Sequence, residues 1–154
     1  MSASPSFTTS FTVPRSPEEV FAAINDVRAW WSGDIEGGTA ELGDEFTYRH
    51  EHVHVSRQRI TESVPGERVV WHVVDGYLDF VEDTAEWTGT DIVFEISRTG
   101  DATELRFTHV GLAPASACFD QCSSAWRFYI DGSLRNLILT GEGQPNEPAK
   151  EARP

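Results

Sequence analysis

The sequence predicts an α+β domain. Its parts are a curved antiparallel sheet of about six or seven strands, two short helices near the start, and one long C-terminal helix laid over the sheet. Three observations predict it. Short runs of alternating apolar and polar residues recur along most of the chain, a helix-capping signal follows the first of them, and apolar residues at helical spacing dominate the stretch from residue 115 to residue 140.

Phe7, Thr9, Phe11 and Val13 alternate with Thr8, Ser10 and Thr12, the pattern of a strand with one covered face, and Pro14 stops it. Ser16, Pro17 and Glu19 then supply an N-cap, a first-turn proline and the partner of a capping box, with Val20, Phe21 and Ile24 following at helical spacing. A second short helical turn covers Asp26 to Ser32 and carries Trp30 and Trp31. Four glycines between Gly33 and Gly43 predict a loop.

EFTYRH and VHVSRQRITESV read as two further strands, the second ended by Pro65-Gly66. RVVWHVV is apolar on both sides, which predicts a strand covered on both faces. The acid-rich DGYLDFVEDTAEW reads as a solvated loop or short irregular insertion. DIVFEIS and TELRFTHV join across a hairpin turn at Thr99-Gly100-Asp101. Phe119, Cys122, Trp126, Tyr129, Ile130, Leu134, Leu137 and Ile138 then define the long helix, and Gly141 ends it. Residues 1–5 and 142–154 read as disordered lead and tail, so the single domain spans 6–141.

Size and charge narrow the function. A chain of 154 residues holds one domain with a sizeable core, and five Trp with nine Phe provide its bulk. Twenty-five acidic against twelve basic side chains leave a formal charge of −13, which repels nucleic acid and anionic membrane surfaces. No segment has the length and apolarity of a membrane span or a signal peptide, so a cytoplasmic location is expected. A helix of about 25 residues is roughly 37 Å long, enough to cross a bowed sheet. A straight rod against a curved sheet leaves space that side chains do not fill, so a cavity is expected between them.

The opening FTTSFTVPRSPEEVFAAINDVRAWWS, the segments EWTGTDIVFEIS and TELRFTHVGL, and the helix CFDQCSSAWRFYIDGSLRNLI resemble the SRPBCC (START-like, helix-grip) superfamily. Within it they are similar to bacterial homologues of the C-terminal domain of the heat-shock-protein-90 ATPase activator. The resemblance covers roughly residues 6 to 141. It implies a helix-grip fold with a hydrophobic cavity between sheet and long helix. It implies no particular activity.

Several candidate sites compete. Histidines at 50, 52 and 54 would form a metal ladder if they lay on one strand. A hairpin connection is needed there, however, and it places them at a strand end, in the turn and on the return strand, at an exposed rim. No metal is therefore expected, beyond adventitious nickel or zinc. Leu105, Phe107 and His109 share an apolar face, so His109 reads first as a satisfied core residue, and second as a ligand donor or proton carrier.

Cys118 and Cys122 stack four apart on the long helix, which reads as small hydrophobes against the sheet. A disulfide is not expected in a reducing compartment, and a zinc or redox pair lacks a fourth ligand. The aromatic set comprises Trp30, Trp31, Trp71, Tyr77, Phe80, Trp87, Phe94, Phe107, Trp126 and Tyr129, with Trp30, Trp31, Tyr77 and Phe80 expected at the cavity rim. Arg57 and Arg59 read as a solvated strand face, with a ligand contact as the alternative.

No nucleophile elbow, P-loop, dinucleotide fingerprint or metalloprotease motif is present, and no cofactor is implied. The leading expectation is a binding module for a small hydrophobic molecule, lipid-like, aromatic or polyketide-like. Its expected lining is Trp30, Trp31, Trp71, Tyr77, Phe80, Phe94, Phe107, His109, Cys122, Trp126 and Tyr129. A stress-response or chaperone-regulating partner protein is the second reading. A cavity enzyme of cyclase or hydrolase type, with His109 as its acid or base, is the third. A homodimer and a chaperone partner both remain open.

Overall fold

The computed structural model describes residues 7–31, 34–39, 41–50, 54–78, 87–112 and 119–143. Seven strands form one antiparallel sheet: β1 (Phe7–Val13), β2 (Asp34–Gly37), β3 (Glu45–His50), β4 (His54–Val64), β5 (Arg68–Leu78), β6 (Asp91–Thr99) and β7 (Ala102–Val110). Their spatial order is β1-β7-β6-β5-β4-β3-β2, so each strand from β2 to β6 pairs with its successor and β1 returns beside β7. Between β1 and β2 lie helix α1 (Pro17–Asn25) and a 3₁₀ turn (Val27–Ala29).

The local signals act as their chemistry requires. Ser16 Oγ accepts from the Glu19 N–H at 3.1 Å, and Glu19 Oε1 accepts from the Ser16 N–H at 2.9 Å, closing the capping box. The Ser16 hydrogen bond is the main cause that holds the exposed Glu19 carboxyl below its ordinary range. Thr99 pairs with Ala102, which leaves Gly100-Asp101 as a two-residue hairpin with Gly100 at φ 67°.

Two expectations need correction. The glycine-rich segment is not all loop, because Asp34–Gly37 pairs with Phe46–Arg49 as an edge strand. Gly37 fits there because its φ is 111° and an added Cβ would collide with the Glu45 carbonyl. The DGYL piece of the acid-rich stretch is strand as well: β5 continues to Leu78 against β4, past a register shift between Arg57 and Gln58. Residues 79–86 lie outside the described residues.

The C-terminal rod comprises α2 (Phe119–Trp126), a π-helical segment (Arg127–Leu134) and α3 (Arg135–Thr140), and Gly141 at φ 88° ends it. Cys122, Trp126, Ile130, Leu134 and Ile138 are all buried, each four residues from the next. A regular α-helix drifts about 40° per four-residue step, so such a row would wind off the sheet. The i→i+5 segment turns less per residue and keeps the row facing inward. That is the physical reason for the departure from a plain α-helix.

Ser133 Oγ donates to the Trp30 carbonyl at 2.8 Å, the Thr9 hydroxyl donates to the Asp131 carboxylate at 2.9 Å, and Arg15 donates to the Leu139 carbonyl at 2.8 Å. These bonds fix the rod to β1, to the β1–α1 connection and to the residue that follows the 3₁₀ turn. No helix among the described residues is long and apolar enough to cross a membrane.

Candidate functional site

The interior between sheet and rod is a connected array of aromatic rings. Trp30, Trp31 and Trp71 lie nearly parallel, with interplanar angles of 12° to 20°. Trp31 stacks on Tyr48 at 3.9 Å and approaches Trp126 at 5.2 Å, and Trp126 in turn stacks with Trp87 at 5.8 Å. Phe46, Phe94 and Phe107 close the array edge-on. Trp30 and Trp31 therefore sit at its centre, not at a rim; both are buried, as are Trp71, Phe94, Phe107, Trp126 and Tyr129.

Tyr77 departs from expectation. It is 45% exposed and lines an outward groove with Thr47, Arg57 and Asp75: Trp71 and Val73 face inward, and the register shift that leaves Val74 as an extra residue on β5 reverses the alternation, so Asp75 and Tyr77 face outward. Phe80 lies outside the described residues. A second groove, lined by Glu67, Arg68, Glu95 and Arg106 among others, also involves the charged outer face. Arg57 pairs there with Asp75 at 2.8 Å and Arg59 with Glu45 at 2.7 Å, so both arginines belong to a solvated face.

His109 is fully buried on β7. Trp126 Nε1 donates to its Nδ1 at 3.1 Å, which puts the ring proton on Nε2. Nε2 then donates to Thr90 Oγ1 at 2.9 Å, and the Thr90 hydroxyl donates in turn to the Trp87 carbonyl at 2.6 Å. Both nitrogens are taken by protein groups, and burial pushes the imidazole down to about 3, so it is neutral at physiological pH. In this position His109 orients Trp126 and Thr90 and offers no free lone pair to a substrate proton.

Of the clustered histidines, His54 is the one whose side chain is described, and it approaches this interior. His50 and His54 face each other across the ends of β3 and β4, as a hairpin requires, and His52 lies outside the described residues. His54, however, is no rim residue. Its ring packs edge-on against Tyr48 at 4.7 Å and Trp87 at 4.6 Å. Burial, and secondarily the neighbouring His109, push it down to about 3. Among the described residues no group of three His, Cys, Asp or Glu could hold a metal ion.

Sequence reasoning missed a polar row on the inner face of β4. His54, Ser56 and Gln58 alternate inward, with Ser56 and Gln58 fully buried. Ser56 Oγ lies 3.0 Å from His54 Nε2 and accepts from Gln58 Nε2 at 2.6 Å. The alternation was visible once β4 was placed, but small polar residues resemble an outer face in sequence. Trp87 joined the aromatic set but not the expected lining; it is buried, and its Cβ packs close against Gly76 of β5, where a side chain would leave no room for it. A Cβ at Gly76 would sit 2.8 Å from the Trp87 Cβ.

Among the described residues, three buried polar atoms in this interior have no hydrogen-bond partner: Trp71 Nε1, Trp87 Nε1 and Gln58 Oε1. Asn25 Oδ1, at the end of α1, is a fourth. Such atoms are rare in folded proteins, because each forgoes a bond it would make in water. Cys122, beside the array, is disulfide-bonded rather than a free thiol; the chain's other cysteine, Cys118, lies outside the described residues.

The fold has solved counterparts. The Aha1 dimer from Colwellia psychrerythraea matches with a TM-score of 0.72 and 22% identity, over 90% of this chain and 99% of that one. DynU16, a putative protein in the dynemicin biosynthetic locus, gives 0.66 and 16%, over 88% of this chain and 48% of that one. A crystal structure of CalU16 from Micromonospora echinospora gives 0.61 and 14%, over 86% and 74%. At these identities the likeness establishes the helix-grip architecture. No curated protein matches in sequence. The family model for Activator of Hsp90 ATPase homolog 1-like protein matches residues 14–138. By that match, over most of its length, the chain belongs to the Activator of Hsp90 ATPase homolog 1-like family.

Proposed function

We propose that this domain binds a small, largely apolar molecule between sheet and C-terminal rod. The observation that carries the reading is the set of orphaned polar atoms, Trp71 Nε1, Trp87 Nε1 and Gln58 Oε1, inside a ring-lined interior whose other buried polar groups, among them His54, Ser56 and His109, are paired with one another or with neighbouring protein groups. A guest that hydrogen-bonds them would relieve their desolvation and gain ring contact at once. The rings already touch one another, so the guest enters by parting them, which makes binding and interior motion one event. Thermal melting and native mass spectrometry against a broad panel of hydrophobic compounds test this. A melting-point rise with a stoichiometric adduct is the expected result; neither, across the panel, removes the reading.

A second reading rests on the family itself: a regulatory partner of a chaperone ATPase in the stress response. Stimulation of that ATPase by the purified chain would support it, and an unchanged rate would oppose it. Self-association is a separate expectation, suggested by the Aha1 dimer, and light scattering measures it directly. Catalysis by His109 is not proposed, because both of its nitrogens are occupied.

A further inference from the structure

We propose that two copies of this chain pair edge to edge, strand β1 of one antiparallel to strand β1 of the other, about a two-fold axis at Ser10. The pairing gives a surface to the self-association expected above and rests on that expectation, not on ligand binding.

An open sheet has two edges, and the two differ here. β2, at one end, has four residues, and Arg28 lies along it. Arg28 donates from Nε to the Ile35 carbonyl at 3.1 Å and from Nη2 to the Gly37 carbonyl at 2.9 Å. With those carbonyls taken, β2 holds out little to an incoming strand. β1, at the other end, has seven residues, FTTSFTV, without a charge or a proline, and pairs with β7 without a register shift. Charge, proline and bulges are the usual means of blunting an edge, and β1 has none of them. Among the described residues no strand pairs with its outer side.

The ladder decides which backbone groups β1 holds out. Thr99 and Ala102 close a two-residue hairpin, so the backbone groups of Ala102, Glu104, Arg106 and Thr108 point to β6. Those of Thr103, Leu105, Phe107 and His109 then point to β1, where they meet Val13, Phe11, Thr9 and Phe7. The Phe7 N–H agrees, since it donates to the Leu112 carbonyl just beyond β7. The N–H and C=O groups of Thr8, Ser10 and Thr12 therefore point away from the sheet.

This edge is complementary to itself. With Ser10 on the axis, Thr8 lies opposite Thr12 of the second copy, and the outward N–H and C=O groups of all three residues are met. Hydroxyl-bearing residues then face one another across the new ladder, a favourable pairing, and no charge in it faces a like charge. On the inner face, Phe11 is half-buried at the margin of the core. It would lie diagonal to Phe11 of the second copy, within reach of ring contact. An isologous pair of this kind closes on itself, and the guarded β2 edge keeps it from growing into a fibre.

The test uses the full chain, with light scattering and sedimentation over a range of concentrations and hydrogen exchange at each. The parent is expected to dimerise, and the Thr8, Ser10 and Thr12 amides should gain protection in step with the dimer. The Thr9 and Phe11 amides, bonded to β7, should stay protected throughout. Equal protection of the Thr8, Ser10 and Thr12 amides in the monomer would mean that the chain covers its own edge, and would overturn the pairing. Each copy carries a formal charge of −13, so raising salt from about 0.01 M to about 0.15 M should tighten the dimer. A dimer weakened by salt would point to an ion-paired interface elsewhere and would also overturn it.

The Ser10 side chain is exposed, so Ser10→Lys and Ser10→Glu should leave the monomer folded. Each sets like charges across the axis and should weaken the dimer about three- to tenfold, whereas the two variants mixed should bind each other more tightly than either binds itself. Ser10→Pro removes the N–H on both sides of the axis and should weaken it about tenfold or more, with the circular dichroism of the monomer as the control for folding. A dimer indifferent to the Lys and Glu substitutions overturns the β1 surface and leaves self-association through another. A parent that stays monomeric at every concentration removes both.

Discussion

Lowering the pH should destabilise this protein well above the range in which its carboxylates titrate, and His109 is the main reason. In the unfolded chain an imidazole titrates near 6.5, whereas in the fold burial pushes it down to about 3. Above the unfolded value both states are neutral and the full stability is present. As the pH falls through that value the unfolded chain takes up a proton that the fold refuses, and stability is lost until the folded value is reached. Between pH 8 and pH 5 the loss from His109 alone is about 2 kcal/mol, and by pH 4 about 3 kcal/mol. His54 is pushed down to about 3 as well and adds a loss of similar sign. Set against the roughly 5–15 kcal/mol of a typical domain, this is enough to bring acid unfolding near pH 4.

Urea unfolding followed by tryptophan fluorescence reads the effect. At an m-value of about 2 kcal/mol per molar, the His109 share moves the midpoint by about 1 M between pH 8 and pH 5. His109→Gln keeps an acceptor for Trp126 and a donor for Thr90 but does not titrate, so its midpoint should fall about 1 M less than that of the parent over the same range. Exposed carboxylates are common to both proteins and cancel in the difference. A parent midpoint that is flat between pH 8 and pH 5, or an identical slope in the variant, would refute a neutral buried imidazole. His54→Gln serves as the second arm.

Three other outcomes are expected. Gly76→Ala places a methyl 2.8 Å from the Trp87 Cβ and should cost about 1–3 kcal/mol, with a shift in tryptophan emission as Trp87 moves. Ser16→Ala removes the acceptor for the Glu19 N–H and should lower stability by about 1 kcal/mol, a melting decrease of about 2–4 °C. Arg59→Ala breaks an exposed pair with Glu45 and should change stability by less than about 1 kcal/mol, an effect that shrinks further with added salt.

Much of the fold could be read in advance because its signals are local. The Ser16–Glu19 box, the Phe7–Val13 alternation, the Gly100-Asp101 hairpin and the Gly141 stop each depend on residues a few positions apart. Even the π segment left a trace, in the four-residue spacing from Cys122 to Ile138. The site was less legible. His109 was singled out by its apolar face, but its tautomer depends on Trp126 and Thr90, which lie 17 and 19 residues away. Tyr77 looked like lining because aromatic character is visible in sequence and the side of the sheet it faces is not; a register shift in the β4–β5 pairing lies close by.

By itself, then, the sequence determined the order of strands and helices, the aromatic stock and the strong negative charge. Hydrophobic period, caps and composition are properties of the chain and need no partner. Only tertiary structure decided which rings meet, that His54 turns inward, and that Trp71, Trp87 and Gln58 are left with polar atoms unmet. Those outcomes arise between strands and across the sheet-to-helix interface, where contact is set by three-dimensional packing and not by distance along the chain.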